Sequence, residues 1–349
     1  MKILEREIGS IDFAENQTRT LQLPRNYAYR CLDLLLMVKL SRAAGSVGGP
    51  KDSSPAQLVR NIMIRANGRD VVKNYDMESL HRLNEQRHHV RPYISAEAMS
   101  GYGALTDEMV YVSSRIDFEM WDAVRPIDTL LDSAGLATLE LIVTWGSGLD
   151  TMNDTFDGAS VTITSASLFV SSVEAVGVPA GTAFMMNKEW MVRSQVTAAS
   201  ARHQIQLPVS NLYRSIVLKT HSDGDQVNTI LPFGLANQNS ITLQAGTEVF
   251  KFRIAGGLQA SNRLDAELQI PELTASAAAL NHRLLENNQE GYYNLEFVKD
   301  GRLTECLDTS KISSLELILD VAHPGTDDFV DVYCTELIRP AVEAARAAG

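Results

Sequence analysis

The chain has 349 residues, 45% hydrophobic and 21% charged, the composition of an ordinary globular protein long enough to build two cores. Its 31 Lys and Arg against 43 Asp and Glu leave a formal net charge of −12, which argues against a nucleic-acid-binding surface of clustered basic residues. Three cysteines, Cys31, Cys306 and Cys334, are too few and too scattered for a disulfide framework or a zinc site, and a reducing site of synthesis fits them.

In chain order, Met1–Phe13 has acids where a secretory signal would have its apolar stretch. At helical spacing Leu4 and Ile8 share one face and Lys2 and Arg6 another, so residues 1–14 read as an N-terminal arm; a further strand is the alternative. Cys31–Leu40 is the most apolar run, but Asp33 and Lys39 interrupt it and it is far shorter than the ~20 residues of a spanning helix. Within it Leu34–Val38 is apolar on both faces and suggests a covered strand. Ala43–Pro55, rich in Gly, Ser and Pro, is expected to be an exposed loop, and Asp76–Arg87, with Leu80 and Leu83, a short helix.

Most of the remainder alternates with period two, as half-buried strands do: Val161 and Ile163; Phe250, Phe252 and Ile254; Leu315, Leu317 and Leu319. Asn67-Gly68, Asp157-Gly158, Asp223-Gly224 and Asp300-Gly301 suit tight turns, the last as a hairpin tip. The strongest helix candidate is Pro271–Asn287, with an Ala run and a stripe of Leu280, Leu284 and Leu285; Pro340–Ala348 reads as a short terminal helix.

The chain repeats itself. Leu131–Val143 (LDSAGLATLELIV) recurs as Leu307–Leu319 (LDTSKISSLELIL), 176 residues later, with six of thirteen positions identical. Leu21-Gln22-Leu23-Pro24 with Tyr29-Arg30 recurs as Ile205-Gln206-Leu207-Pro208 with Tyr213-Arg214, 184 residues later, and Ile116-Asp117-Phe118 resembles Leu295-Glu296-Phe297. Three matches in the same order at similar offsets describe a domain that occurs twice. The expected division is an arm at 1–14, a first sandwich at 15–175, a junction at 176–184, a second sandwich at 185–338 and a tail at 339–349, each sandwich with eight strands.

No motif carries chemistry. The histidines His81, His88, His89, His203, His221, His282 and His323 show neither H-x-H nor H-E-x-x-H spacing, so the metal motif of a double cupin is missing. His88-His89 reads as a solvated loop pair and His282 as a surface or packing residue. No G-x-S-x-G elbow, Walker A loop or dinucleotide fingerprint is present. Asp132 and Asp308, duplicated ahead of a strand, read as turn caps, and Glu140 and Glu316 as outward strand positions. Asn16-Gln17-Thr18 and Asn153-Asp154-Thr155 match glycosylation sequons without a secretory signal to give them meaning. No catalytic, cofactor-binding or metal-ligating residue is assigned, and no enzymatic activity or cofactor is expected.

Gly291–Asp320 with Val330–Ile338, Ile127–Gly146 and Leu212–Leu231 look like strands and turns of two jelly rolls. In them the chain resembles the double jelly-roll major capsid proteins of tailless bacterial viruses with an internal membrane, the tectiviruses and corticoviruses. The resemblance implies an all-β fold of two tandem jelly-roll sandwiches with a few short helices, and a homotrimer that tiles an icosahedral shell as a pseudo-hexagonal block. It also implies a virion location after synthesis in the host cytoplasm, and as partners neighbouring trimers, minor or vertex proteins and the internal lipid membrane, without direct nucleic-acid contact. Both termini are then expected at the base of the trimer, where Lys2 and Arg6 could meet lipid headgroups. The competing class is a tandem carbohydrate-binding or receptor-binding spike module, which would display Trp and Tyr in a groove; the sequence offers only Trp121, Trp145 and Trp190, and Trp145 continues a core strand.

Overall fold

The computed structural model describes residues 2–42, 54–90, 92–94, 105–148, 161–178, 184–221, 239–265, 291–321 and 326–339. The expected helices Pro271–Asn287 and Pro340–Ala348, most of the loop Ala43–Pro55, the turns Asp157-Gly158 and Asp223-Gly224, His282, His323 and the second sequon lie outside these residues. The first half runs β1 (Lys2–Asp12), β2 (Thr18–Gln22), β3 (Ala28–Arg42), β4 (Val59–Ala66), β5 (Asp70–Tyr75), α1 (Met77–His88), β6 (Leu105–Asp117), β7 (Leu131–Asp132), β8 (Leu139–Trp145) and β9 (Val161–Val176). The second runs β10 (Met186–Val196), β11 (Ser200–Leu207), β12 (Leu212–His221), β13 (Ser240–Ala245), β14 (Glu248–Ile254), α2 (Ala255–Asp265), β15 (Tyr292–Glu296), β16 (Leu307–Asp308), β17 (Leu315–Val321) and β18 (Asp328–Ile338).

Each half is a pair of facing antiparallel sheets. In the first, β1-β9-β3-β6, with β7 beside β3, faces β2-β8-β4-β5. In the second, β10-β18-β12-β15, with β16 beside β12, faces β11-β17-β13-β14. The two orders are the same once nine strands are counted off, and each is a jelly roll: an eight-stranded double sheet plus one two-residue strand. Inward residues make the cores. Leu139, Leu141, Val143 and Trp145 are buried along β8 while Glu140, Ile142 and Thr144 are not, and Leu32, Leu34, Leu36 and Val38 face them from β3. Leu315, Leu317 and Leu319 do the same beneath Ile216 and Leu218. Burying each such side chain contributes roughly 1.5–3 kcal/mol.

The repeated motifs coincide in space. Leu141 pairs with Leu21, and Leu317 with Ile205. One residue along, Gln22 donates to Glu140 at 2.7 Å and Gln206 to Glu316 at 2.9 Å. Tyr29 Oη donates to the Pro24 carbonyl at 2.6 Å, and Tyr213 Oη to the Pro208 carbonyl at 2.7 Å. The arginine after each tyrosine is skipped in the pairing with β9 or β18, a bulge that takes Arg30 and Arg214 out of the ladder. Their carbonyls accept the N–H of Phe118 and Phe297 at 2.8 and 2.9 Å. Asp132 and Asp308 cap turns, accepting from the N–H groups of Ala134 and Ser310.

Four expectations change. Lys2–Asp12 is a strand paired along its length with β9, with a bulge at Glu7/Gly9, so the first sandwich begins at Lys2 and the helical spacing of Leu4 and Ile8 has no helix behind it. Strand pairing wins there because β9 is long enough to satisfy a second edge. Asp300-Gly301 is not a solvent hairpin tip: Gly301 is buried with φ +71°, and its carbonyl accepts from Val124 N–H at 2.9 Å. A Cβ there would lie 2.3 Å from the Asp122 carbonyl oxygen. Phe252 and Ile254, expected to alternate inward, lie exposed on the edge strand β14. The helix α2 gave no sequence signal, since Gly256-Gly257 depresses its propensity.

The two tyrosine bonds make a matched test. Tyr29→Phe and Tyr213→Phe should each lower stability by about 1 kcal/mol, and the double variant by their sum, because the sites are in separate cores. Urea denaturation curves of the three variants check it.

Candidate assembly interface

The chain already contains one interface between jelly rolls, in which buried charges lie beside an apolar cluster of Met120 and Ala123 with Leu212, Val298 and Leu337. Strand β5 runs beside β10, and α1 lies against the outer face of the β10-β18-β12-β15 sheet. Asp76 caps α1, its Oδ1 accepting from Ser79 N–H at 2.6 Å, while its Oδ2 accepts from Tyr333 Oη at 2.6 Å and lies 3.4 Å from Lys219 Nζ. Lys219 also donates to Glu78 at 2.9 Å. Lys73, 0% exposed, places Nζ 3.5 Å from Glu189, and Arg87 donates to the other Glu189 oxygen at 2.8 Å and to Thr335 at 3.2 Å. At the far end Arg214 reaches from the second half to Asp122 of the first at 2.7 Å, whereas Arg30, at the matching bulge, pairs bidentately with Glu119 of its own half.

Burial sets the titration of these groups. It pushes the Lys73 ammonium down to about 8 against the pull of Glu189, and pushes the Glu189 carboxyl up against the pull of Lys73. Burial also works to lower Lys219 and raise Asp76, but their mutual attraction prevails, so Lys219 rises well above and Asp76 falls below its ordinary value. Charges so placed add little net stability, yet they penalise any other docking of the two sandwiches, because a shift would leave each one buried and unpaired.

Two outer faces have no counterpart among the described residues. On the first half, the outer face of β1-β9-β3-β6 carries a cleft of ≈ 640 Å³ lined by Glu7, Asp33, Leu35, Arg115, Phe169 and Ser171 among others. Glu5 lies exposed on the same sheet. On the second half, β14 and α2 expose Phe252, Ile254 and Leu264.

The five described histidines, His81, His88, His89, His203 and His221, each make local hydrogen-bond or packing contacts. His88 is the last residue of α1, not part of a solvated loop: its Nε2 is 2.9 Å from buried Asp117 and its ring stacks on Trp121 at 5.2 Å. His89 is the left-handed cap that follows, with φ 56°. His81 is buried with Nδ1 3.2 Å from the Ser113 carbonyl, His203 lies 2.8 Å from Ser194 Oγ, and His221 stacks on Phe329. Among the described residues no three His, Cys, Asp or Glu side chains are placed to hold a metal ion, and no helix is long and apolar enough to cross a membrane. Trp145 is fully buried and Trp190 packs on the second core. The buried ion pairs themselves were missed by sequence reasoning; their one signal is that α1 is polar everywhere outside the stripe of Met77, Leu80 and Leu83, and in a packed helix those polar faces require polar partners.

Two jelly rolls of equal strand order, packed side by side in one chain, constitute the double jelly-roll fold of viral major capsid proteins. The crystal structure of the STIV major capsid protein is similar over 99% of this chain and 100% of that chain, with a TM-score of 0.73 at 15% identity. The major capsid protein P2 of bacteriophage PM2 is similar over 97% and 99%, with a TM-score of 0.59 at 13% identity. A PBCV-1 virus capsid chain matches over 97% and 95%, with a TM-score of 0.57 at 10% identity. No protein-family model matches the chain, and a search of curated proteins finds no match.

The buried lysine gives a test of the interface. Its folded value of about 8 lies below the ordinary 10.5, a cost of about 3 kcal/mol that is full below pH 8 and relieved as the pH climbs toward 10.5. Lys73→Met removes that cost but leaves Glu189 with Arg87 alone, so stability at pH 7 should change by no more than about 1 kcal/mol, and the balance should turn against the variant as the pH climbs toward 10.5. Glu189→Ala strands Lys73 and Arg87 and should cost roughly 3–5 kcal/mol. Denaturant midpoints across that pH range read both.

Proposed function

We propose that this chain is the major capsid protein of an icosahedral virus with an internal membrane, working as a homotrimer. Its two structural units are 2–176 and 186–338, joined across the intervening residues. The observation that carries the reading is the duplication itself: two jelly rolls with the same strand order, held rigidly side by side. Three such chains in a closed ring present six similar walls, so a threefold block fills a hexagonal lattice. The fold shared with the STIV and PM2 capsid proteins supports it. The carbohydrate-binding alternative is not favoured: Trp145 is buried in the first core and Trp190 packs on the second, which leaves Trp121, 38% exposed and stacked on His88, as the one exposed Trp.

In this reading the protein is a structural component of the virion, made in the host cytoplasm, with neighbouring trimers, vertex proteins and the membrane as partners and no catalytic role. Lys2 pairs with Val176 and Met186 with Ile338, so both halves begin and end at one end of their sheets. That end is the base of the block and faces the virion interior. Arg6 is held bidentately by buried Glu174 at 2.9 Å, so of the two basic residues of β1 it is Lys2 that is left for headgroups.

Light scattering of the purified protein at micromolar concentration should give about three times the 38.3 kDa chain mass. A persistent monomer contradicts the proposal.

A further inference from the structure

We infer that copies of this chain join through a second version of its internal seam, in which β14 and α2 of one copy seat on the outer β1-β9-β3-β6 face of the next, Lys251 on Glu5 and Ile254 on Leu35. The inference rests on the self-assembly proposed above and names the residues that carry it.

Pairing registers fix which residues correspond. Lys73 pairs with Ile64, which pairs with Leu141; Lys251 pairs with Leu243, which pairs with Leu317. Leu141 and Leu317 are the same position of the sequence repeat, so Lys73 and Lys251 correspond. Their surroundings agree: Lys73 lies over the Phe118 ring at 5.7 Å and Lys251 over the Phe297 ring at 5.1 Å, and those two phenylalanines are themselves repeats. Three residues on from each lysine stand Asp76 and Ile254, each followed by a helix. On the receiving sheets, Glu5 faces Val173, which faces Cys31; Glu189 faces Thr335, which faces Ser215. Cys31 and Ser215 each directly follow the bulged arginine, so Glu5 and Glu189 correspond. Five residues past that arginine stand Leu35 and Lys219.

The chemistry of the two seams then matches contact by contact. Inside the chain, Lys73 meets Glu189. Between chains the same two positions hold Lys251 and Glu5, again a cation and an anion. Inside the chain, Lys219 meets Asp76. Between chains those positions hold Leu35, 37% exposed, and Ile254, 47% exposed. Both members of the pair have changed from charged to apolar together. A face intended for water has no reason to make that joint exchange, and two exposed apolar side chains brought together lose water on both sides. Phe252 and Leu264 extend the inserting surface, and the cleft beside Leu35 and Phe169 receives it. On the receiving face Asp33 is already paired with Arg115 at 2.6 Å, which leaves Glu5 and Glu7 to oppose Lys251 and Arg253 on the inserting one.

The exchange also keeps the seams apart. Pairing Ile254 with a Lys219 face, or Asp76 with a Leu35 face, would bury a charge against a hydrocarbon, so the internal and external contacts cannot be swapped. Each copy is left with one inserting and one receiving face, and contacts of that kind run head to tail until they close.

The test uses full-length Leu35→Cys/Ile254→Cys protein and a short bismaleimide; the native thiols, Cys31, Cys306 and Cys334, are buried. Covalent trimers are expected on a denaturing gel, at least tenfold above the product from either single variant. Glu5→Lys should weaken association at least tenfold, and Glu5→Lys/Lys251→Glu should restore it, which separates loss of contact from loss of fold. Protein that remains trimeric by light scattering yet neither cross-links nor responds at Glu5 would overturn this seam and leave the capsid reading standing. Protein that is monomeric before any substitution removes both.

Discussion

Lys73 is fully buried, and the carboxylate that does most to favour its charged form is Glu189, a residue of the other jelly roll. The same holds for Lys219 between Asp76 and Glu78. These pairs tie the helix and edge strand of the first sandwich to the outer face of the second at fixed points along its length. Two sandwiches joined by an apolar patch could slide by one residue at modest cost. Joined by buried charges they cannot, since each step would strand several ions in a low-dielectric contact. Everything proposed about assembly depends on this rigidity, because a ring closes on three copies only if the angle between the halves is the same in each.

The two cores are built alike and serve a different purpose. Their alternation of inward leucines with outward polar residues decides that a sandwich forms, and the repeated small devices decide where its strands turn. The tyrosine hydroxyl on a proline carbonyl five residues earlier, the bulged arginine after it and the Asp that caps the turn before β8 and β17 recur at corresponding places. What differs between the halves is the surface. Lys219 and Asp76 against Leu35 and Ile254 show a duplicated scaffold whose outer positions have diverged in pairs.

Much of this was legible in the sequence, for physical reasons. Period two along Leu315–Leu319 and the buried stripe of α1 follow from burial alone, and the displaced copy of Leu131–Val143 announced the duplication. The segment Lys2–Asp12 left strand and arm both open, because Leu4 and Ile8 satisfy helical spacing as well as strand spacing over so short a segment. Gly301 read as an exposed turn because nothing local says that the backbone of Asp122 passes over it. Phe252 and Ile254 read as core because alternation reports only that a strand has two faces, not which of them the fold leaves exposed. The ion pairs between the halves join residues 92 to 143 positions apart, and no local pattern encodes them.

The central claim is that three copies close a ring of six similar sandwiches. Electron-microscopic class averages of the purified protein, viewed down the symmetry axis, test it most directly. The proposal requires a hexagonal outline of six lobes with strict threefold symmetry, the lobes alternating in kind. Averages with two lobes, or with an open chain of lobes that fails to close, would contradict it.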